Sequence, residues 1–241
     1  MKDNSGLKYL RMTLNERIQH FLLLSSFIIL VSTGFALKYP EAIWVGWFRI
    51  IFGDYAFEIR GIVHRVAAVI MILDSIYHII YVTFTKRGRK LIIDLWFRKK
   101  DLTDTIGTIK YYLGKSKEKP KYGRFSYIEK SEYWALVWGN VVMGATGIIL
   151  WFENTFLPVV SNIGMDIATA IHFYEAILAS LAIVVWHFYF VIYNPDVYPI
   201  NKSFFTGYLT REEMEHEHPL ELETIEINSG NTVQDEKTDN N

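Results

Sequence analysis

The sequence predicts an all-α integral membrane protein: a bundle of four transmembrane helices, both termini cytoplasmic, with a long basic cytoplasmic loop between helices two and three. Three observations predict it. Hydrophobic residues make up 51% and aromatic residues 16% of the 241 positions. The apolar residues concentrate in four runs long enough to cross a hydrocarbon layer of ~30 Å, which takes ~20 residues at ~1.5 Å each. Lysine and arginine gather between the second and third runs instead of spreading evenly.

The runs cover roughly residues 18–37, 61–84, 133–152 and 166–193. Thr13-Leu14-Asn15-Glu16 precedes the first and fits a capping box, which starts that helix just outside the apolar layer. Charged residues flank this run but no small-residue cleavage motif follows at signal-peptide distance, so it reads as a retained span. Fourteen Lys and Arg residues lie from Lys86 to Lys130, three from Lys38 to Arg60, and none in the short loop after Trp151. The positive-inside rule then sends spans one and three outward and spans two and four inward. Within the basic loop, LIIDLWFRKKDLTDTIGTIKYYLG interleaves apolar and basic residues, as does an amphipathic helix on anionic lipid; a solvated face or a subunit dock fits the same pattern. The tryptophans, from Trp44 and Trp47 to Trp151 and Trp186, read mainly as an interfacial belt.

Residues 1–210 are expected to form the transmembrane domain and 211–241 an acidic cytoplasmic tail, disordered over its last twenty or so residues. The acidic tail offsets the basic loop, so the net charge of −1 says little about partners. No cysteine is present, which excludes disulfides, cysteine-held iron-sulfur clusters and haem attachment through CxxCH within this chain. No nucleotide-binding glycine motif or internal repeat is visible, and no nucleic-acid partner is expected.

Five of the seven histidines fall in predicted spans: His20 in the first, His64 and His78 in the second, His172 and His187 in the fourth. Polar side chains in hydrocarbon are costly and usually functional. His64 and His78 are fourteen residues apart, which returns to within about 40° of one helical face ~21 Å further along. His172 and His187 are fifteen apart, about 60° from registry and ~22 Å along the axis. Spans two and four run the same way, so His64 matches the depth of His172 and His78 that of His187. Two levels of facing imidazoles are what two stacked bis-histidine haems require. Four ligands suffice and five are present, because His20 lies at about the depth of His78; spacing by itself slightly favours His78 opposite His187.

Arg60 and Arg65 at the outer level and Arg17 at the inner are candidates for charge-assisted bonds to haem propionates, or for interfacial snorkelling. Gly34, Gly139, Gly144 and Gly147, with Ser32 and Thr33, suit close approach of a porphyrin or of a neighbouring helix. Asp74 and Glu175 lie inside spans and must be paired, protonated or facing water.

Several motifs resemble the di-haem cytochrome b subunits of membrane formate dehydrogenases and nickel-iron hydrogenases, over nearly the whole chain to about residue 220. Arg17-Ile18-Gln19-His20-Phe21 is similar to the family's first ligand motif, Arg60-Gly61-Ile62-Val63-His64 to its second-span motif, and Ala170-Ile171-His172 and Val185-Trp186-His187 to its fourth-span ligands. Lys121-Tyr122, Glu129-Lys130 and Tyr133-Trp134 resemble its approach to the third span, and Glu217-His218-Pro219 a tail motif. The resemblance implies two haem b groups, the outer on His64 and His172 and the inner on His20 and His187. His78 departs from the family pattern and stays the alternative to His20. The resemblance also implies a respiratory electron-transfer subunit in a bacterial or archaeal cytoplasmic membrane. Its partners would be the lipid bilayer, a membrane quinone reacting near His20 or His78, Glu129, Lys130 and His218, and an iron-sulfur or multihaem c-type subunit at the outer face. The competing expectation is a transporter or scaffold whose intramembrane histidines bind metal ions or bridge helices.

Overall fold

The computed structural model describes residues 7–238, with side chains to residue 228. Within them the chain divides into two compact units. One comprises residues 14–85 and 136–186; the other comprises 7–13, 86–135 and 187 onward.

The first unit holds the apolar lengths of the spans. Helix α1 runs Leu14–Lys38, starting right after Thr13 as its capping sequence requires. A 3-10 turn at Ile43–Val45, a short helix α2 at Gly46–Phe52 and a second turn at Gly53–Tyr55 lead into α3, Ala56–Phe84. The third span, α6, is Tyr127–Trp151, and the fourth begins as α7, Glu153–Leu181. Among the described residues four helical stretches are long and apolar enough to cross a membrane: Leu14–Lys38, Ile43–Phe84, Tyr127–Trp151 and Glu153–Tyr193. The protein is therefore an all-α membrane bundle, and each expected span lies inside one of these stretches except for Phe152 at the end of the third.

Lipid cannot satisfy a hydroxyl, so the helices do it internally. Ser26, Thr33, Thr83, Thr146, Thr169 and Ser180 each donate to the carbonyl four residues back, at 2.6–2.9 Å. The backbones of α1 and α3 pack closely along their lengths, and no other pair of spans does so among the described residues. In α7 the helix breaks at Ser161, which has a positive φ of 63° three residues after Pro158. The break sets apart a short leading segment, so the regular helix begins close to the expected start of the fourth span. Beyond Leu181 the chain continues as π-helical turns, Ala182–His187 and Tyr189–Tyr193.

The second unit is polar. The helices α4, Lys86–Leu95, and α5, Lys99–Tyr112, occupy the basic loop. A short helix α8, Ser203–Thr206, is followed by α9, Arg211–Glu217, and α10, Pro219–Thr238. A two-stranded antiparallel ribbon joins β1, Lys8–Leu10, to β2, Tyr208–Thr210, with Tyr9 opposite Leu209. Nothing in the sequence announced this ribbon, because three-residue strands are too short to show a period and their pairing spans two hundred positions.

Leu209, Met214 and Leu222 form a small buried core with Tyr9 and Ile225 against it. This core straddles the boundary expected at residue 210. The disorder expected at the end of the tail falls mainly on residues from 229 onward, whose side chains lie outside the described residues. Arg11 ties the segments together: it donates to the carbonyl of Arg124 at 2.6 Å, reaches the Glu221 carboxylate, and donates to His218 Nε2 at 3.1 Å. Its own carbonyl accepts from Arg87 at 3.0 Å.

Lys130 and Asp101 form an ion pair buried from solvent, Nζ to both carboxylate oxygens at 2.8 and 2.9 Å. Removing one member of such a pair strands a charge and typically costs about 3–5 kcal/mol. The Asp101→Ala protein is therefore expected to unfold at a clearly lower temperature in detergent. The double variant Asp101→Leu with Lys130→Met is expected to recover most of the loss, as a thermal melt of all three would show.

Candidate functional site

His64 on α3 and His172 on α7 come together as the sequence expected. Their ring centres are 6.4 Å apart with planes at 66°. A metal between two coaxial imidazoles places the ring centres about 6 Å apart, from bonds of about 2 Å on each side plus about 1 Å from each nitrogen to its ring centre. The observed spacing fits one iron held from both sides.

The protonation pattern is set by neighbours. Thr33 Oγ1 on α1 lies 3.0 Å from His64 Nδ1, and Thr146 Oγ1 on α6 lies 2.9 Å from His172 Nδ1. Each hydroxyl already donates its proton along its own helix, Thr33 to Ile29 at 2.6 Å and Thr146 to Val142 at 2.7 Å. Each threonine therefore accepts from the imidazole Nδ1–H, which leaves Nε2 of both rings with its lone pair, the form a metal takes. Gly34 and Gly147 follow these threonines and face the same rings: a Cβ there would stand 3.2 Å from His64 Cε1 and 3.3 Å from His172 Cε1. Of the other glycines expected to allow close approach, Gly139 faces Glu175 Oε1 and Gly144 meets nothing within 4 Å.

His78 Nδ1 pairs with Gln19 Oε1 at 2.7 Å, and the Gln19 amide in turn donates to Asn15. Tyr81, one turn beyond His78, donates to Glu16 at 2.9 Å. His20 follows Gln19 on α1 and is half-buried. In the polar unit, His187 Nδ1 lies 3.1 Å from Glu132 Oε2. His187 ends a π-helical turn, so the 3.6-residue period used to register it against His172 does not hold beyond Leu181.

Of the expected propionate partners, Arg60 is 4% exposed and its Nε has no hydrogen-bond partner, a covered cationic donor suited to an anion. Arg65 lies over the Trp151 ring at 5.5 Å. Arg17 is half-buried on α1, three residues before His20. Asp74 is 8% exposed and its Oδ1 has no hydrogen-bond partner.

A family model described as prokaryotic cytochrome b561 matches residues 11–207. The chain belongs to this family. It is a membrane b-type cytochrome of electron transfer, related to the cytochrome b subunits of hydrogenases and formate dehydrogenases, and haem b is its cofactor. Comparison with curated proteins finds no match.

In the cytochrome's polar unit the residues expected near a quinone have other work. Lys130 is committed to Asp101. His218 uses both nitrogens: Nδ1 donates to the Gly123 carbonyl at 2.9 Å, and Nε2 accepts from Arg11. Burial holds its pKa below the usual histidine range, helped by the Arg11 charge and opposed by Glu129. Glu129 Oε2 accepts from the Ser126 backbone at 2.7 Å and its hydroxyl at 2.9 Å, capping α6. Glu217, not singled out from the sequence, is pushed up to about 7 by burial and by the nearby Glu129 charge, with Arg11 pulling the other way. Thr146 and Glu132 were also missed, Thr33 was read only as a small residue allowing close approach, and Gln19 only as part of the His20 motif. The one signal for the threonines was Thr33-Gly34 in span one echoed by Thr146-Gly147 in span three.

Glu217 carries a definite sign. Its folded pKa lies above the ordinary value of 4.5, so between about pH 4.5 and 7 the folded state keeps a proton the unfolded chain has released. Stability therefore falls as pH rises through that window and levels off above about pH 7. Glu217→Gln, which still accepts from Asn201, is expected to match the parent's melting temperature near pH 4.5 and exceed it by a few degrees at pH 8.

Proposed function

We propose that this cytochrome holds two b-type haems and passes electrons between a redox partner on its outer face and the membrane quinone pool. The observation that carries the reading is the His64–His172 pair, at iron-bridging distance with both Nδ1 positions engaged by oxygen. Bound haem supplies one-electron exchange between ferric and ferrous iron. The chain supplies the rest. His64 and His172 hold one group, with Arg60 available to its propionates and Arg65 and Arg17 as further candidate cations. His187 holds the second, with His20 as its partner or His78 in that place.

His20 rests on the resemblance of its motif. His78 rests on its depth and on the engaged Nδ1 that His64 and His172 also show. Whichever of the two is not a ligand is proposed, with Glu129, to exchange protons with quinone. The buried Lys130–Asp101 pair and the doubly engaged His218 hold the polar unit's shape around Glu129. The partner proposed for the outer face is an iron-sulfur or multihaem c-type subunit, since the chain lacks the cysteines for a relay of its own. A bacterial or archaeal cytoplasmic membrane is supported by the family, and the positive-inside distribution supports the basic loop and both termini on its inner side.

The test is the reduced-minus-oxidised absorbance spectrum and the haem-to-protein ratio of the purified chain and four histidine variants. Two haems per chain are expected in the parent, and one in each of His64→Ala and His172→Ala. Loss of one haem in His20→Ala but not in His78→Ala assigns His20 as the inner ligand, and the reverse assigns His78. A parent protein with no b-type band contradicts the proposal.

A further inference from the structure

Two threonine-glycine dipeptides on different helices make the same contacts with the two facing histidines. Thr33 and Thr146 are both buried, at 4% and 8% exposure. A hydroxyl in that position must donate or be left unsatisfied, and each donates to the carbonyl four residues before it. A β-branched side chain in a helix has few rotamers, and this back-bond selects one of them. The hydroxyl oxygen is thereby fixed by its own helix before the histidine arrives. Its remaining lone pair can then take only a proton from across the helix interface, and the group that offers one is the imidazole Nδ1–H, at 3.0 Å for His64 and 2.9 Å for His172.

The glycine that follows completes the contact. With a Cβ at position 34 or 147 only 3.2 or 3.3 Å from Cε1, the ring would have to withdraw and its hydrogen bond would stretch. The threonine, joined at His64 by the backbone carbonyl of Leu30, thus fixes which nitrogen carries the proton, and the glycine lets the ring come close enough for that bond to form.

We infer that Thr33 and Thr146 are positioning residues for the outer haem, each fixing the tautomer, the plane and the donor strength of one axial histidine, with Gly34 and Gly147 permitting the approach. The inference rests on the proposed haem between His64 and His172. An acceptor on Nδ1–H makes the imidazole a stronger electron donor through Nε2, which favours ferric over ferrous iron. Loss of that acceptor therefore raises the midpoint potential of the group so held and frees the ring to turn.

The experiment is a redox titration, with low-temperature electron paramagnetic resonance, on the parent and on Thr33→Val, Thr33→Ser, Thr146→Val and Thr146→Ser. Valine keeps the shape of threonine without the hydroxyl, and serine keeps the hydroxyl. In each valine variant one of the two midpoint potentials is expected to rise by a several-fold change in the ferric-to-ferrous equilibrium, a tenfold change being 59 mV for one electron. One of the two low-spin ferric signals should change its g-values, and the other haem should not move. Each serine variant should return to parental values.

Unchanged potentials and signals in both valine variants, with two haems bound, overturn the inference and leave the di-haem reading intact. Should a valine variant lose a haem, the serine variant decides: parental haem content and potential support the hydroxyl's role, and the same loss overturns it. A parent without b-type haem, or a His64→Ala protein that keeps both haems, instead defeats the underlying reading.

Discussion

An imidazole placed among lipid-facing helices carries an N–H that neither water nor hydrocarbon will satisfy, and the arrangement around the spans follows from that constraint. His64, His172, His78 and His187 each place Nδ1 against a side-chain oxygen, from Thr33, Thr146, Gln19 and Glu132 respectively. Satisfying Nδ1 removes the cost of burying the donor. At His64 and His172 it also leaves Nε2 as the nitrogen that keeps its lone pair. The same bond that makes such a histidine tolerable in the membrane leaves it in the form that can ligate a metal.

The partners differ in chemistry, and that difference bears on electron transfer. Two neutral hydroxyls serve the His64–His172 pair, an amide oxygen serves His78, and a carboxylate serves His187. A carboxylate polarises an imidazole N–H more strongly than a hydroxyl does. Unequal second partners are one means by which a chain holding two groups of the same type sets them at different potentials. The polar unit contributes rigidity. Its buried Lys130–Asp101 pair, the contacts of Arg11 and the small core of Leu209, Met214 and Leu222 bring segments distant in sequence together within that unit.

Much of the fold was legible in the sequence because lipid imposes a simple rule. Long apolar runs had to be helices, and the start of α1 after Thr13 and the four spans came out close to expectation. The His64–His172 pairing was legible too, since fixed rise and period convert spacing into depth and facing. Beyond Leu181, π-helical turns change the period that arithmetic assumes; local winding of that kind depends on packing and leaves no composition signal. The ribbon of β1 and β2 and the Arg11 contacts were illegible because they join positions far apart in sequence, 76 residues for Arg87 and up to 210 for Glu221. His218 read as a site residue from its motif, but the structure spends both its nitrogens on Gly123 and Arg11, a contact set no local pattern reveals. Thr33 was visible only as a small residue allowing close approach and Thr146 was not singled out, because their role depends on a neighbouring helix.

The central claim is that facing histidines in these spans are axial ligands, with iron bound from both sides by imidazole. Near-infrared magnetic circular dichroism of the oxidised, purified chain tests it most directly, because the charge-transfer band of low-spin ferric haem reports the pair of axial ligands. The expected result is a bis-imidazole band whose intensity corresponds to two haems per chain. A high-spin spectrum, a band from a different ligand pair, or no haem signal at all would contradict it.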